Sequence, residues 1–332
     1  MKKVFLALFV MLMMASCTKF NINVNLENSD GKTVYLERYD GTEMSILDSV
    51  VAKDNIAVFK VRPNDNLDPY CIMIKGWRRP LTFFADNQDV NITGDYQKYN
   101  GINVLASESQ EKLNAFNKEI NIIEDEQEMR FRIYDFVKLN IDHPLAPYVM
   151  YRYKWAFELD EFYAFDELMP TDMKSAYRDL VNDYVNGLEL TRTGKTFLQF
   201  TQKDVNGNEL GLKDVVAESQ VVLLDFWASW CPDCRKENPA LVEIYNKYKD
   251  RGLNIVSVSL DMDEAAWKKA IVDDNLSWPY HVSDLKGWNN EVAEMYRIAF
   301  IPQSIFIDNN GTILEKNLPI EKMDDYLNSL LR

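Results

Sequence analysis

The run Val221-Val222-Leu223-Leu224-Asp225-Phe226-Trp227-Ala228-Ser229-Trp230-Cys231-Pro232-Asp233-Cys234 decides how this chain folds around its chemistry. Its first six residues read as a buried strand, and those after Cys231 read as a helix. Two cysteines three positions apart at a strand-to-helix junction are redox machinery. Cys231 falls near the N-cap and Cys234 one turn inside, so their sulfurs can approach to bonding distance. Only Cys231 is expected to face solvent, among free backbone N–H groups and at the positive end of the helix dipole. Both favour the thiolate: an ordinary thiol ionises near ~8.5, and a fall to about 7 would make half of it reactive at neutral pH. Pro232 suits the first helical turn, where its missing N–H does no harm. Asp225 sits in an otherwise apolar strand, where a carboxylate is costly without a task. Burial should raise its pKa and let it take a proton from Cys234. The alternative is a strand-end Asp exposed to water.

Around this run the pattern is α/β. Residues 196–203 and 210–212 flank Asn206-Gly207, a hairpin signal. The helix after Cys231 is expected to run to about Asp250, with Gly252 as its stop. Strand 254–260, helices 263–275 and 288–297, a strand pair 304–308 and 312–316 across Asn309-Asn310-Gly311, and helix 321–331 follow. Upstream, residues 107–190 show helical spacing, as in Leu113, Phe116, Ile120 and Ile123, with breaks at His143-Pro144, Pro147 and Met169-Pro170. Three or four amphipathic helices are expected. The aromatic stripe Tyr148, Tyr151, Tyr153, Trp155 and Phe157 reads as helix packing. Residues 20–104 are β-rich, with strands at 20–26, 33–39, 44–52, 56–61, 70–74, 81–84 and 90–93 separated by turn signals such as Lys53-Asp54-Asn55. This suggests a small antiparallel sandwich or barrel.

The chain has 332 residues, 47% hydrophobic and 12% aromatic, enough for packed cores and for more than one domain. A formal charge of −15 argues against nucleic acid or an anionic membrane surface as partner. The expected divisions are 1–16, 17–105, 106–192 and 193–332. Residues 1–16 read as a targeting segment: Lys2 and Lys3, an apolar run over 4–14 too short to span a bilayer, then Ala15 and Ser16 before Cys17. This looks like a bacterial lipoprotein signal, with Cys17 lipidated as the first mature residue; the plainer reading is a secretory signal with an incidental cysteine. Of four cysteines, that leaves Cys71, which reads as a buried small hydrophobe. With only two histidines, His143 (a cap or surface residue) and His281 (structural), a His-rich metal site is not expected, and two cysteines alone lack two zinc ligands. No cofactor is expected.

The C-terminal part, about 194–332, resembles the thioredoxin superfamily, and within it the TlpA/ResA-like branch of envelope thiol–disulfide oxidoreductases. The resemblance rests on Asp225 to Cys231, on Arg235-Lys236-Glu237-Asn238-Pro239, and on Ile301-Pro302 followed by Gln303 to Asp308. It implies a thioredoxin-like α/β fold, a helix kinked at Pro239, a cis Ile301-Pro302 bond and a helix–strand insertion around 261–283. It implies Cys231 as nucleophile, Cys234 as the resolving thiol and Ile301 and Pro302 bordering the sulfurs. Trp227 and Trp230 would pack around the site, Trp227 equally as plain core. Glu237 would influence Cys234 or make a helix-surface salt bridge. Gln303 replaces the usual Thr or Ser, which should bear on substrate preference. Asp233, between the cysteines, should raise the pKa of Cys231 and favour a reducing pair. A peroxidase is disfavoured, because no Pro-x-x-x-Thr-x-x-Cys loop surrounds Cys231. The N-terminal half resembles a β-rich domain of undefined function found before such domains in envelope lipoproteins of Gram-negative anaerobes, through Asp48-Ser49-Val50, 57–61, Thr82-Phe83-Phe84 and 90–95. Together these imply a lipid-anchored, envelope or periplasmic reductase of protein disulfides, supplied by a membrane thiol donor. An oxidase or isomerase, or a scaffold lipoprotein whose N-terminal half binds a partner, are the alternatives.

Overall fold

A computed structural model describes residues 19–39, 43–63 and 65–331. The expected signal at 1–16 and the lipidation site Cys17 lie outside the described residues. The chain divides into two compact units: the described residues up to Ala156 with Phe165–Leu180, and Phe157–Ala164 with the described residues from Val181 on.

In the first unit, β1 (Phe20–Glu27) alternates strictly, burying Phe20, Ile22, Val24 and Leu26 and turning Asn21, Asn23 and Asn25 outward. That period of two makes one face of a sheet apolar. One sheet has the order β4-β1-β7-β8, with β4 at Ile56–Val61, β7 at Val90–Asp95 and β8 at Asn103–Leu105. The other is β3-β2-β5-β6, with β2 at Thr33–Tyr39, β3 at Met44–Val51, β5 at Tyr70–Ile74 and β6 at Leu81–Phe83. Both sheets contribute to one core, Ile22, Val24 and Phe59 meeting Val34, Leu36 and Ile72. The expected antiparallel pattern holds throughout the second sheet. In the first, β1 and β7 pair in parallel, Ile22 beside Val90. β8 was not foreseen, because three residues carry no readable period.

Five α-helices follow, one more than the upper expectation: α1 (Glu108–Ile120), α2 (Glu126–Leu139), α3 (Leu145–Arg152), α4 (Leu159–Leu168) and α5 (Ala176–Leu190). Ser107 and Asp125 cap α1 and α2 by accepting the Gln110 and Glu128 N–H groups. Pro147 does not break the chain as expected. It sits in the first turn of α3, where an N–H has no intrahelical partner to lose. The Tyr148 ring packs edge-on against Phe84 and Tyr177, at 5.3 and 5.0 Å. The stripe is packing.

The second unit is thioredoxin-like. A five-stranded sheet runs β13-β12-β11-β14-β15, with β11 at Val221–Trp227, β12 at Leu253–Ser259, β13 at Tyr280–Val282, β14 at Gln303–Asp308 and β15 at Ile313–Lys316. β11 is buried along its whole length, as its apolar run demands of a central strand. β12 lies parallel to it and β14 antiparallel. The hairpin β9 (Thr201–Lys203) and β10 (Glu209–Gly211) precedes the sheet, and an unforeseen short helix α6 (Leu212–Ala217) follows it. Helix α7 (Pro232–Tyr248) contains Pro239 and ends through a 3₁₀ turn at Gly252, whose φ is +95°. A Cβ there would lie 2.6 Å from Gln220 Cγ, so glycine is required on two counts. The expected insertion is present as α8 (Glu264–Asp273) and β13. The helix expected over 288–297 is shorter, α9 (Glu291–Met295), because Trp288 belongs to a 3₁₀ turn and Asn290 caps the helix. α10 (Ile320–Leu330) closes the unit. No helix among the described residues is long and apolar enough to cross a membrane.

Candidate active site

Strand β11 ends at Trp227, the chain turns through Ala228-Ser229-Trp230, and Cys231 becomes the N-cap of α7 with Pro232 at the first helical position. The Cys231 sulfur accepts the Cys234 N–H at 3.1 Å. The two cysteines form a disulfide with their Cα atoms 5.3 Å apart. One expectation needs correcting: Cys231 does not face solvent in this bridged form. It is 4% exposed and Cys234 2%. The cover comes from the Ile301-Pro302 segment, whose bond is cis, with the Ile301 carbonyl oxygen 3.8 Å from the Cys231 sulfur. Gln303 accepts the Ala299 N–H through its side-chain oxygen, tying the two ends of this segment together.

Two carboxylates that carry no signal in the local sequence, Asp261 and Asp274, hold the turn before Cys231, the second through Arg235. Asp261 is buried and accepts the Ser229 N–H at 2.9 Å and hydroxyl at 2.5 Å, and the Ser259 hydroxyl at 2.7 Å. Arg235 donates to the Ser229 carbonyl at 3.1 Å and forms a two-pronged ion pair with Asp274, at the end of α8. Asn238 donates to the same carboxylate. Asp274 is thereby held below the usual carboxylate range, against the opposing effect of its own burial. A carboxylate fixed far along the sequence opposite an Arg is invisible without the fold.

Behind Cys234 lies a cleft of about 210 Å³, lined among others by Asp225, Glu237, Ser304 and Asn317. Burial pushes the Asp225 carboxyl up to about 7, against the hydrogen bond from Ser257 and helped by the charge of Glu237. Asp225 is itself buried, so the exposed strand-end alternative fails. Glu237 is raised by burial first and by Asp233 next. Among the described residues it makes no ion pair, and it lines the same cleft as Cys234. On the outer side, Trp230 is 50% exposed, donates its indole N–H to the Leu260 carbonyl, and has the Trp288 ring 6.2 Å away. Trp227 is core, 1% exposed.

The remaining candidates are structural. Cys71 is buried, its thiol pushed up to about 11 by desolvation. His281 is buried against Trp278, and burial brings it down to about 4. His143 contacts the Ser109 hydroxyl at 3.1 Å with Asp86 3.7 Å away, a hydrolase-like trio by composition only. Its Nδ1 accepts the Leu145 N–H, so Nε2 must carry the proton and cannot take one from Ser109. Among the described residues no group of His, Cys, Asp and Glu is arranged to hold a metal ion.

The model of the AhpC/TSA family matches residues 193–316, and that of a domain of unknown function, DUF4369, matches residues 20–113. A thiol-disulfide oxidoreductase ResA of Bacillus cereus is 31% identical over 145 residues, covering 43% of this chain and 80% of the relative. ResA of Oceanobacillus iheyensis is 32% identical over 136 residues, covering 40% and 68%. The solved thioredoxin domain of a thiol-disulfide oxidoreductase from Bacteroides vulgatus is 35% identical, covering 42% of this chain and 99% of that one, with a TM-score of 0.39.

Proposed function

This chain belongs to the ResA-like thiol–disulfide oxidoreductases, and from that premise we propose that it works as a cell-envelope reductase of protein disulfides. In the reduced enzyme the Cys231 thiolate attacks one sulfur of a substrate disulfide. The substrate S–S bond breaks, a mixed disulfide forms, and the first substrate thiol leaves with a proton. Cys234 then gives its proton to Asp225 and attacks the Cys231 sulfur. The second substrate thiol leaves, the substrate has gained two electrons, and the Cys231–Cys234 bridge results. Ile301 and Pro302 border the reacting sulfur, where a substrate segment can lie in extended form. Trp230 and Pro232 form the facing wall.

The observation that carries this reading is Cys231 at the N-cap of α7, its sulfur on the Cys234 N–H and beside the Ile301 carbonyl. The direction is argued from charge. Asp233 lies between the cysteines, and Asp225 and Glu237 line the cleft behind Cys234. Carboxylates beside thiols disfavour the thiolate. A pair whose reduced form is not stabilised gives up electrons readily, the converse of a strongly oxidising dithiol. Lipid on Cys17 would hold the protein at the membrane, and a membrane thiol carrier would return it to the dithiol form.

The test is a pair of variants and a potential. Cys231→Ser should abolish insulin reduction with dithiothreitol, while Cys234→Ser should accumulate mixed disulfides with envelope proteins. The reduction potential should lie near or below about −230 mV; a value near about −120 mV would mean an oxidant. Wild-type turnover by Cys231→Ser would sink the assignment.

A further inference from the structure

The first unit carries a second place where chemistry has been assembled. Between Asp68 and Asp86 the chain holds no acidic residue, although acids outnumber bases 52 to 37 overall. In that interval falls Lys75-Gly76-Trp77-Arg78-Arg79. The fold brings it against Tyr96, Gln97, Tyr99 and Asn100, around a pocket of about 410 Å³. That volume is within the range of roughly 300–1,000 Å³ typical of small-molecule sites.

The aromatic wall is held in place by hydrogen bonds. Trp77 donates its indole N–H to the Tyr96 carbonyl at 3.0 Å. The Tyr96 hydroxyl donates to the Lys75 carbonyl at 2.8 Å, and the Tyr99 hydroxyl to the Pro80 carbonyl at 2.8 Å. The Trp77 and Tyr96 planes lie within 15° of parallel, with Tyr99 edge-on to Trp77. Gly76 makes this possible. Its φ is +106°, and a Cβ there would lie 2.5 Å from the Tyr96 hydroxyl oxygen. The polar atoms of these three rings are turned back onto the backbone, and Trp77 and Tyr96, anchored on the sheet core, present the pocket with an apolar wall.

Positive charge lines the pocket as well, from Arg78 and Arg79. The Arg79 guanidinium rests over the Tyr99 ring at 5.0 Å, and Lys32 over the Tyr96 ring at 4.6 Å. Among the described residues neither Arg78 nor Arg79 is paired with a carboxylate. An arginine fork matches a carboxylate in two hydrogen bonds. In a chain this acidic, two such guanidiniums beside a fixed aromatic wall are not a generic surface.

We propose that this pocket binds a small ring compound bearing a carboxylate, its ring against Trp77 and Tyr96 and its carboxylate on Arg78 and Arg79, with Gln97 and Asn100 meeting further polar groups. Two sources share that chemistry, an acidic sugar and an aromatic acid. The full-length protein would be titrated calorimetrically with glucuronate and with benzoate, against glucose and benzyl alcohol as uncharged counterparts. At least one acid should bind saturably and at least tenfold tighter than its uncharged counterpart. The acid that does so identifies the ring type. The Arg78→Gln, Arg79→Gln double variant should lose at least tenfold in affinity, while insulin reduction, to which these residues contribute nothing, stays unchanged. In unaltered protein the bound acid should shift the Trp77 indole N–H resonance, a readout that needs no variant to fold. No saturable binding of either acid at millimolar concentration, binding that ignores the double variant, or an unmoved Trp77 resonance would overturn the proposal.

Discussion

Ser257 donates its hydroxyl hydrogen to Oδ2 of Asp225 at 2.8 Å, and its oxygen accepts the indole N–H of Trp278 at 2.9 Å. Ser257 and Asp225 are register partners on the parallel strands β12 and β11. Of the influences on the Asp225 carboxyl, this bond is the one that lowers its pKa, against burial that raises it. On the proposed mechanism, in which Asp225 takes the proton of Cys234, this bond would therefore bear on the pH at which it can do so.

Ser257→Ala should therefore move the titration of Asp225 upward, by about one unit for the loss of one hydrogen bond to a charged group. The rate at which the mixed disulfide resolves, followed from pH 6 to about 9 by stopped-flow fluorescence, should rise with pH along a curve displaced to the alkaline side. An undisplaced profile would remove Asp225 from the proton path.

Asp225 and His281 should pull the stability of the second unit in opposite directions. The folded pKa of Asp225, about 7, is above its unfolded value. Its contribution is thus complete below about pH 4 and is lost as pH rises to 7. The folded pKa of His281, about 4, is below its unfolded value, so its contribution is complete above about pH 6.5 and is lost on acidification towards 4. Between these limits the two slopes nearly cancel. Asp225→Asn should leave stability rising with pH across that window and gain about 2–4 kcal/mol at pH 8, while turnover falls about 10²-fold. His281→Phe should leave stability falling with pH. Denaturant melts at half-unit pH steps decide it, and parallel curves for parent and variants would refute both assignments.

The Arg235–Asp274 pair with its Ser229 contact should be worth about 1–3 kcal/mol, since removing one member leaves partly buried charge and a carbonyl unmatched. Asp274→Ala should lower the denaturant midpoint and slow reaction of the reduced protein with substrates, because Ser229 precedes Cys231 by two residues. A double-mutant cycle with Arg235→Ala should show coupling. Additive losses would mean that the two act separately.

Trp288 should tune substrate affinity. It is 48% exposed and its ring lies 6.2 Å from that of Trp230, the residue before Cys231. Trp288→Ala should raise KM for protein disulfides about three- to tenfold, a modest loss of apolar contact, with kcat little changed. A small synthetic disulfide should not sense the change; equal effects on both substrates would argue against a role in recognition.

Local signals in the chain suffice for the cysteine pair at its strand-to-helix junction and for most of the elements that follow it. The run from Val221 to Cys234, the stop at Gly252 and the hairpin at Asn309-Asn310-Gly311 are each carried by a period, a turn residue or a cap within a few positions. The alternation in β1 is legible for the same reason. Other features arise only when residues distant in sequence are folded together. Asp261 and Asp274 become clamps of the Cys231 turn through contacts that span 32 and 39 positions, which composition cannot encode. The burial of Cys231 beneath Ile301 comes from a loop 70 residues away. β8 and the parallel β1–β7 pairing carry no local signature because strand pairing is set by the shape of a shared core. The aromatic–arginine pocket around Trp77 exists only because the turn at Gly76 lets two separate segments close on each other.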